Sequence, residues 1–257
     1  MSELLNKSAH TNPTDGLEDS PAMENAKQCP ICRSFISEYG SFGSQTRQNA
    51  KCPQCNSLER HRALWLYLEN HTSLLSSHQT LLSVRLLHFA PERIFHQKFA
   101  ALENIDYYPV DINPKRYKEI RDVIDIQCIE YQDGMFDFII CSHVLEHVPD
   151  DHAAMQELLR VLKQDGVAFI LAPVTHSLET TLDDPSYNTP ELRTQHYGQH
   201  DHLRRYGSDF PSRLRKAGFS VEEIDMTREI DGQKYDPVCY GIKEGTKIYK
   251  CTVPAAT

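Results

Sequence analysis

From about residue 82 onward, short apolar runs alternate with helical patterns, and this alternation constrains the fold more than any other feature of the chain. Between the runs, one helical pattern begins near Pro91, another ends at Gly166 and a third ends at Gly218. Such a succession predicts an α/β fold with a mostly parallel sheet of about seven strands and helices on both faces. The runs predicted as strands are VRLLHFA, IDYYPVDI, VIDIQCIE, FDFIICSH, VAFILAPV, FSVEEIDM and KIYKCTV.

Four of the eight cysteines form two close pairs, CPIC at 29–32 and CPQC at 52–55. Two Cys-x-x-Cys pairs supply four thiolates that can close a tetrahedron around Zn²⁺, and closed four-sulfur sites are structural. We therefore predict a structural zinc ion bound by Cys29, Cys32, Cys52 and Cys55. The other four cysteines are scattered among apolar residues, which favours core thiols.

The cysteine pairs also divide the chain into segments. Residues 1–26 are polar and without periodicity, which predicts a disordered tail. Residues 27–57 form the predicted zinc-ribbon module. The segment 58–80 contains apolar residues at helical spacing after Ser57, a predicted N-cap, so we expect a helical linker with one apolar face. Residues 81–257 form the α/β domain.

Charge and hydropathy exclude several classes of protein. The net charge of −9 argues against a duplex nucleic acid as the main partner, although a local basic patch could remain. The chain contains no run of eighteen apolar residues, so we do not predict a membrane span. The first residues, MSELLNKSAHTNPTDG, lack the apolar core of a signal peptide, so we expect a cytoplasmic protein.

Polar residues stand where the predicted strands end. Asp111 follows the second strand, a position from which a carboxylate accepts hydrogen bonds from two ribose hydroxyls. After the third strand, Asp125 could accept from an adenine amino group while Ile126 covers the ring. The fourth strand ends in Cys141–His143. A strand-end Asp is often only a turn residue, but the ordered set predicts a nucleoside site.

The same segments carry a family resemblance. LLHFAPE, YYPVDI, VIDI, FDFIICSHVLEHVPDD and RVLKQDGVAFI together resemble a class I S-adenosylmethionine-dependent methyltransferase. More narrowly, the chain is similar to a bacterial group with a Cys₄ zinc module at the front, including SLERHRALWLYL and YGQHDHLRRYG. The similarity runs from about residue 28 to 225. It implies a Rossmann-like methyltransferase sheet preceded by a zinc ribbon.

The resemblance also implies roles for the residues at the strand ends. The turn after the first strand would hold the methionine part of S-adenosylmethionine, with Ala90 at the first glycine position and Glu92 near the second. Asp111 would bind the ribose, Asp125 and Ile126 the adenine, and Cys141–His143 the region near the sulfonium. The implied cofactor-binding residues are His88, Phe89, Ala90, Glu92, Asp111, Ile112, Asp125, Ile126, Cys141, Ser142 and His143.

TQHYGQHDHLRRYG at 194–207 is the densest polar and aromatic stretch, and it lies where a substrate lid is expected. An imidazole near neutral pKa could remove a proton from the acceptor, so His200, His202 and His143 are the candidate catalytic residues. The two arginines could bind a carboxylate or phosphate on the acceptor. The candidate substrate-binding residues are His196, Tyr197, Asp201, Arg204, Arg205 and Tyr206.

HVLEH at 143–147 matches the His-x-x-Glu-His pattern of some zinc proteases. The pattern needs a helical setting and a third ligand, and here it directly follows a core strand, so we do not interpret it as a protease. A divalent ion held by Glu146 and His147 is a second interpretation. We interpret His147 instead as a residue that caps or packs beneath the sheet.

The sequence therefore predicts a methyltransferase that uses S-adenosylmethionine and carries a structural zinc ion. The predicted acceptor is an oxygen or nitrogen nucleophile of a small molecule, sugar or peptide. One alternative is an RNA methyltransferase whose zinc ribbon contacts RNA. Others are a degenerate methyltransferase fold that acts as a binding module and, less well supported, a nucleotide-binding oxidoreductase.

Overall fold

The computed structural model describes residues 27–43, 46–75, 83–116 and 119–255 of the chain. The predicted tail at 1–26 lies outside the described residues. Among the helices in the described part, none is long and apolar enough to cross a membrane.

The cysteine module is built from two short antiparallel hairpins followed by a helix. Strands β1 (Lys27–Gln28) and β2 (Phe35–Ile36) form the first hairpin, and β3 (Gly40–Phe42) and β4 (Arg47–Lys51) the second. Helix α1 (Glu59–His71) follows directly. Short strands with few apolar residues bury little surface, so the module depends on what its cysteines bind and on the rest of the chain.

A seven-stranded sheet forms the centre of the molecule, as predicted. Its order is β10-β11-β9-β8-β5-β6-β7, and all pairs are parallel except those made by β11, which is antiparallel to both neighbours. The strand predicted within VIDIQCIE is only two residues long and starts one residue earlier. The strands are β5 (Val84–Phe89), β6 (Ile105–Asp111), β7 (Asp122–Val123), β8 (Phe136–Ser142), β9 (Leu162–Leu171), β10 (Ser220–Asp225) and β11 (Lys247–Thr252).

Helices cover both faces of the sheet. Successive residues of a strand point to opposite faces, so they belong to two separate apolar cores. Leu87 and Ile139 pack on one face with residues of α3 and α5, whereas Leu86 and Ile140 pack on the other with residues of α1 and α2. A 3₁₀ turn at Leu145–His147 precedes α3. The helices after α1 are α2 (Arg93–Phe99), α3 (Asp151–Val161), α4 (Pro190–Tyr197), α5 (Phe210–Lys216) and α6 (Pro237–Tyr240).

Two predicted helix boundaries are wrong. Helix α3 ends at Val161 and the chain enters β9 at once, so Gly166 lies inside a strand rather than closing the helix. A Cβ on Gly166 would approach within 3.0 Å of the Phe136 carbonyl oxygen, which explains the glycine. At α1, the Leu58 N–H donates to Nδ1 of His61 at 3.1 Å, and Ser57 does not cap the helix.

Helix α1 is an integral part of the domain rather than a linker with one apolar face. Nine of its thirteen residues are buried, and its apolar side chains share a core with Leu86 and Ile140 of the sheet and with Cys29 and Ile31 of the cysteine module. The fully buried Arg62 donates to the carbonyls of Ser57 and Gly241, both at 2.6 Å. The helix therefore joins the module to the sheet.

Candidate active site

The ends of the central strands lie side by side. Phe89, the last residue of β5, is in register with Val110 of β6 and with Cys141 of β8. Ser142 of β8 is in register with Leu171, the last residue of β9. Parallel sheets bind ligands at this edge. The structure therefore brings the predicted strand-end residues to one side of the sheet.

Two adjacent strands leave the sheet through left-handed residues. Ala90 follows β5 with φ of 48°, and His143 follows β8 with φ of 55°. Glycine is the usual residue there, because other residues pay a steric cost in this region. Ala90 thus adopts a backbone conformation that glycine favours, and strained residues of this kind cluster at functional sites.

Beneath the Ala90 turn lies a buried chain of hydrogen bonds and ion-pair contacts. Nε2 of His88 donates to Glu92 at 3.1 Å, and the Tyr107 hydroxyl lies 2.9 Å from Nδ1 of the same ring. On the other carboxylate oxygen, Nε2 of His61 lies 3.4 Å away. Because Leu58 donates to Nδ1 of His61, the proton of that ring is on Nε2 and faces Glu92. The network connects α1 to the turn.

This network gives His88 a role different from the predicted one. The side chain is fully buried and both ring nitrogens have partners within the protein, so it supports the turn from below. Glu92 likewise faces the two imidazoles. Burial alone would raise the pKa of Glu92, but His61 and His88 lower it well below its ordinary value. The Glu92 carboxylate is therefore ionised at neutral pH.

The two predicted nucleoside acids both accept backbone hydrogen bonds. Oδ1 of Asp111 accepts from the Asn113 N–H at 2.6 Å, and Oδ1 of Asp125 accepts from the Gln127 N–H at 2.9 Å. Each acid is thus held by the turn that follows it. Beside Asp111, the side chain of Ile112 is 64% exposed and offers an apolar surface at the strand end.

Three of the other predicted cofactor contacts are core side chains. Phe89 and Ile126 pack in the apolar core, and Ile126 is too buried to cover a ring in this structure. Cys141 is also fully buried, and burial raises the pKa of its thiol well above the ordinary value. Ser142 is buried at the end of β8, whereas the His143 side chain is partly exposed. His143 is therefore the accessible member of the Cys141–His143 segment.

After β8, His143 and the 3₁₀ turn form a cluster with the segment that follows α4. Nδ1 of His143 lies 3.1 Å from Oε1 of Glu146. The rings of His147 and His202 meet edge to face with centroids 4.8 Å apart. His147 is thus not buried beneath the sheet, as we had expected, but lies partly exposed beside the strand ends. Burial lowers the pKa of His202, which keeps this imidazole neutral.

The segment 198–209 is held against the 3₁₀ turn by hydrogen bonds to backbone carbonyls. The Leu203 N–H donates to the Glu146 carbonyl at 2.8 Å. Arg204 is buried and donates to the carbonyls of Leu145 and Pro149, both at 2.9 Å. The predicted substrate contact is therefore wrong for Arg204, because its guanidinium is used in holding the segment.

The remaining predicted substrate residues divide into buried and accessible ones. The buried ones are Tyr206, whose hydroxyl donates to Asp151 at 2.8 Å, and Tyr197, whose hydroxyl lies 2.9 Å from the Asp184 carbonyl; neither faces a substrate. The accessible ones are Asp201; Arg205; His196, which stacks on Tyr187; and His200, which is 70% exposed. The segment thus offers one accessible arginine rather than a pair.

The four paired cysteines converge at one point. Their sulfur atoms all lie within 4.8 Å of one another, with Sγ of Cys29 3.6 Å from Cys55 and Sγ of Cys32 3.9 Å from Cys52. Sulfurs around tetrahedral Zn²⁺ at about 2.3 Å are separated by about 3.8 Å. The donor set and its spacing therefore fit a zinc ion.

The two knuckles have the same backbone geometry. In each, the fourth residue after the first cysteine donates its N–H back to that cysteine carbonyl, Arg33 at 2.8 Å and Asn56 at 3.0 Å, and both residues have φ of 62°. Oγ of Ser57 lies 3.2 Å from Sγ of Cys55 and 3.4 Å from Sγ of Cys29. The Ser57 hydroxyl therefore lies against the sulfurs, and Leu58 is the N-cap residue of α1.

Sequence reasoning missed several groups at the site. His61 and Tyr107 lie in the segments SLERHRALWLYL and YYPVDI but were given no role, and only the fold brings them beside His88 and Glu92. Burial lowers the pKa of Arg60, which is close enough to Glu92 and Glu146 to feel both charges. The available signal was the polar run Glu59–Arg62, which opens a helix whose next six residues are apolar.

Comparisons with known proteins agree with this architecture. A family described as "Methyltransferase domain" matches residues 86–224, more than half of the chain. A 51-residue stretch is 41% identical to a ubiquinone biosynthesis O-methyltransferase of Glaesserella parasuis serovar 5 (strain SH0165). The stretch covers 20% of this chain and 21% of that protein, so the chain spans about a fifth of the length of this curated relative.

A solved structure shares the fold. The cyclase SpnF superposes with a TM-score of 0.55 and 16% identity, over 86% of this chain and 89% of that one. At this level of identity the likeness shows the fold alone. The family match, the sheet order and the strand-end site lead to one assignment: the chain belongs to the methyltransferase-domain family.

Proposed function

We propose that the chain transfers a methyl group from S-adenosylmethionine to an oxygen or nitrogen atom of a small molecule, sugar or peptide. The observation that carries the proposal is the alignment of the Ala90 turn, Asp111 and His143 at one edge of the sheet. The family assignment supports the reaction class. Similarity to an O-methyltransferase over 51 residues favours oxygen as the acceptor atom.

Several features of the strand ends fit the cofactor. S-adenosylmethionine, when bound, supplies a methyl group on a positively charged sulfur, so the protein needs chiefly to position and desolvate the reactants. The left-handed turn with only a methyl group at Ala90 permits close approach of a ligand to the backbone. Asp111 is suited to the ribose hydroxyls, Asp125 to the adenine amino group, and Ile112 to contact with an apolar ring face.

The size of the side chain at position 90 tests whether the Ala90 turn binds the cofactor. Ala90→Leu should weaken S-adenosylmethionine binding at least tenfold, because its side chain enters the space above the turn. Ala90→Gly is the matched control: it should keep the affinity and raise the free energy of unfolding by about 1 kcal/mol, since glycine adopts positive φ without strain. Calorimetric titration and urea unfolding measure the two effects. Equal affinities of the two variants would contradict cofactor binding at the Ala90 turn.

We propose a structural role for zinc at the cysteine module. A closed set of four sulfurs leaves no position for a substrate, so the ion would hold the two knuckles together. Its thiolates lie against the core that contains α1, and α1 carries His61 toward Glu92. The module would thus orient the helix that supports the Ala90 turn.

For the acceptor, we propose His143 as the group that takes up the proton. His143 is the accessible residue at the end of β8, and its imidazole is partly exposed where an acceptor beside the cofactor would lie. His200 is largely exposed and His202 lies against His147, so both are less well suited to that role. Arg205 is the accessible cation for an anionic acceptor.

One feature bears on the alternative of RNA methylation. A groove of about 700 Å³ opens between the cysteine module and the segment around α6. Its charged residues are Lys27, Arg47, Lys243, Glu59 and Glu244. Three cations facing two carboxylates make a poor site for a polyanion, so we keep a small acceptor as the proposal. Salt-dependent RNA affinity of the purified protein would reverse that choice.

A further inference from the structure

Three side chains beside the strand ends could share one ion. Glu146 and His147 lie on the 3₁₀ turn after β8, and His202 comes from the segment that folds over it. Each offers one ligand atom, and these atoms all lie within 4.8 Å of one another. That spacing places the three donors within reach of a single metal ion.

Glu146 is the first indication that the cluster has a ligand. The residue is 1% exposed, yet neither carboxylate oxygen has a hydrogen-bond partner among the residues that the structure describes. The 3.1 Å contact with His143 lacks hydrogen-bond geometry, and Nε of the nearby Arg60 is itself unsatisfied. A buried carboxylate without a hydrogen bond is costly, and such groups are usually paired or coordinate metals.

The imidazoles are arranged as metal ligands are. Nδ1 of His147 lies 3.1 Å from the Asp201 carbonyl and therefore carries the proton, which leaves the lone pair on Nε2. Metal-binding histidines are commonly fixed by such a hydrogen bond to a carbonyl. The His202 ring lies edge to face against His147 with centroids 4.8 Å apart, which brings both imidazoles beside Glu146.

We propose that Glu146, His147 and His202 bind a divalent transition-metal ion, distinct from the zinc of the cysteine module. Two imidazoles and one carboxylate suit ions such as Mn²⁺ or Zn²⁺ and leave open coordination positions. Asp201 is not a ligand in this proposal; its carbonyl accepts a hydrogen bond from Nδ1 of His147 and so orients that ring. In this arrangement His202 is a ligand rather than a base.

The open positions indicate the kind of acceptor, an inference that rests on the proposed methyl transfer. An ion at the strand ends would hold an acceptor hydroxyl and lower its pKa, which favours O-methylation. In that step the acceptor oxygen bonds the methyl carbon as the carbon–sulfur bond breaks. The sulfur keeps the electron pair, and the hydroxyl proton passes to His143.

Binding of Mn²⁺ to the full-length protein, loaded with zinc at the cysteines, tests the site. Titration followed by electron paramagnetic resonance should find one bound Mn²⁺ per chain, because hard Mn²⁺ does not compete for four thiolates. His147→Ala and His202→Ala should each weaken binding at least tenfold. His152→Ala, which removes an exposed histidine on α3, is the matched control and should leave it unchanged.

Two further measurements distinguish a failure of the metal site from a failure of the proposed methyl transfer. A calorimetric titration with additional Zn²⁺ covers the case of a site selective for zinc, and S-adenosylmethionine affinity is measured on the same variants. If neither ion binds to the wild type, or if both bind equally well to His147→Ala and His202→Ala, the metal site is wrong. Loss of ion binding with cofactor binding intact supports it, and absence of cofactor binding alone contradicts only the proposed function.

Discussion

The Cys52→Ser substitution should abolish zinc binding and lower the free energy of unfolding by at least about 3 kcal/mol. Structural zinc binding is coupled to folding and contributes on the order of 10 kcal/mol in isolated zinc-finger peptides. The module has only short strands of its own, so without the ion we expect residues 27–57 to unfold. A chelator should have the same effect on the wild type.

The loss should extend to the sheet because the module shares its core. Cys29, Ile31 and Tyr39 pack with α1 and with the strands in one apolar cluster. Arg62 connects the two parts, since it donates to the carbonyls of Ser57 and Gly241 while its guanidinium lies over the Tyr39 ring, 4.1 Å from the centroid. Unfolding of the module would leave this buried charge without partners.

Zinc content and urea unfolding measure this prediction, and hydrogen exchange locates the change. Cys128→Ser is the matched control, because Cys128 is exposed and distant in sequence from the two pairs. The control should keep one zinc per chain and wild-type stability. A purified wild type with well under one zinc per chain would show that the four thiols have another role.

Glu92→Gln should lower the free energy of unfolding at pH 7 by roughly 3 kcal/mol. Nε2 of His88 donates to Glu92, a hydrogen bond to a charged group that is worth about 1.5–3 kcal/mol, and His61 adds an ion-pair contact at 3.4 Å. Glutamine keeps the shape but presents an amide N–H to one of these donors. The substitution should also weaken cofactor binding, since the network supports the Ala90 turn.

The effect of Glu92→Gln should depend on pH. His61 and His88 lower the pKa of Glu92 in the folded protein, against the tendency of burial to raise it. A carboxyl with a lowered folded pKa stabilises the protein fully above its unfolded pKa of about 4.3, and this stabilisation is lost as pH falls through the folded value. The difference between wild type and variant should therefore narrow below about pH 4.

Urea unfolding at pH 7, 4 and 3 tests this, with Glu103→Gln as the control because Glu103 is an exposed carboxylate. The control should change stability by less than about 0.5 kcal/mol at every pH. A Glu92→Gln protein as stable as the wild type at pH 7 would mean that the buried carboxylate is not stabilised by the two histidines.

The sheet was predictable because its strands are short apolar runs separated by turn residues. Most residues of runs such as VRLLHFA and FDFIICSH are buried, and this burial appears in the sequence as a mostly apolar run. The ends of the helices were harder to predict from the sequence. Gly166 looks like a helix terminator in sequence, but its place is set by a close approach to Phe136 that only the folded chain has.

The position of the site could also be predicted, but the direction of its side chains could not. Spacing placed Asp111 at the end of a strand, where the structure has it, whereas Asp125 lies in the turn beyond β7, which ends at Val123. The same spacing could not tell that His88 points into the core or that Arg204 donates to carbonyls. Both outcomes depend on partners far away in sequence, which local patterns do not contain.

Calorimetric titration of S-adenosylmethionine into folded, zinc-loaded protein tests the account most directly. We predict one binding site per chain and at least tenfold weaker binding to Asp111→Ala, because the ribose hydroxyls lose their acceptor. An absence of any heat of binding from wild-type protein that is folded and carries its zinc would contradict the account and favour a methyltransferase fold that has lost its cofactor.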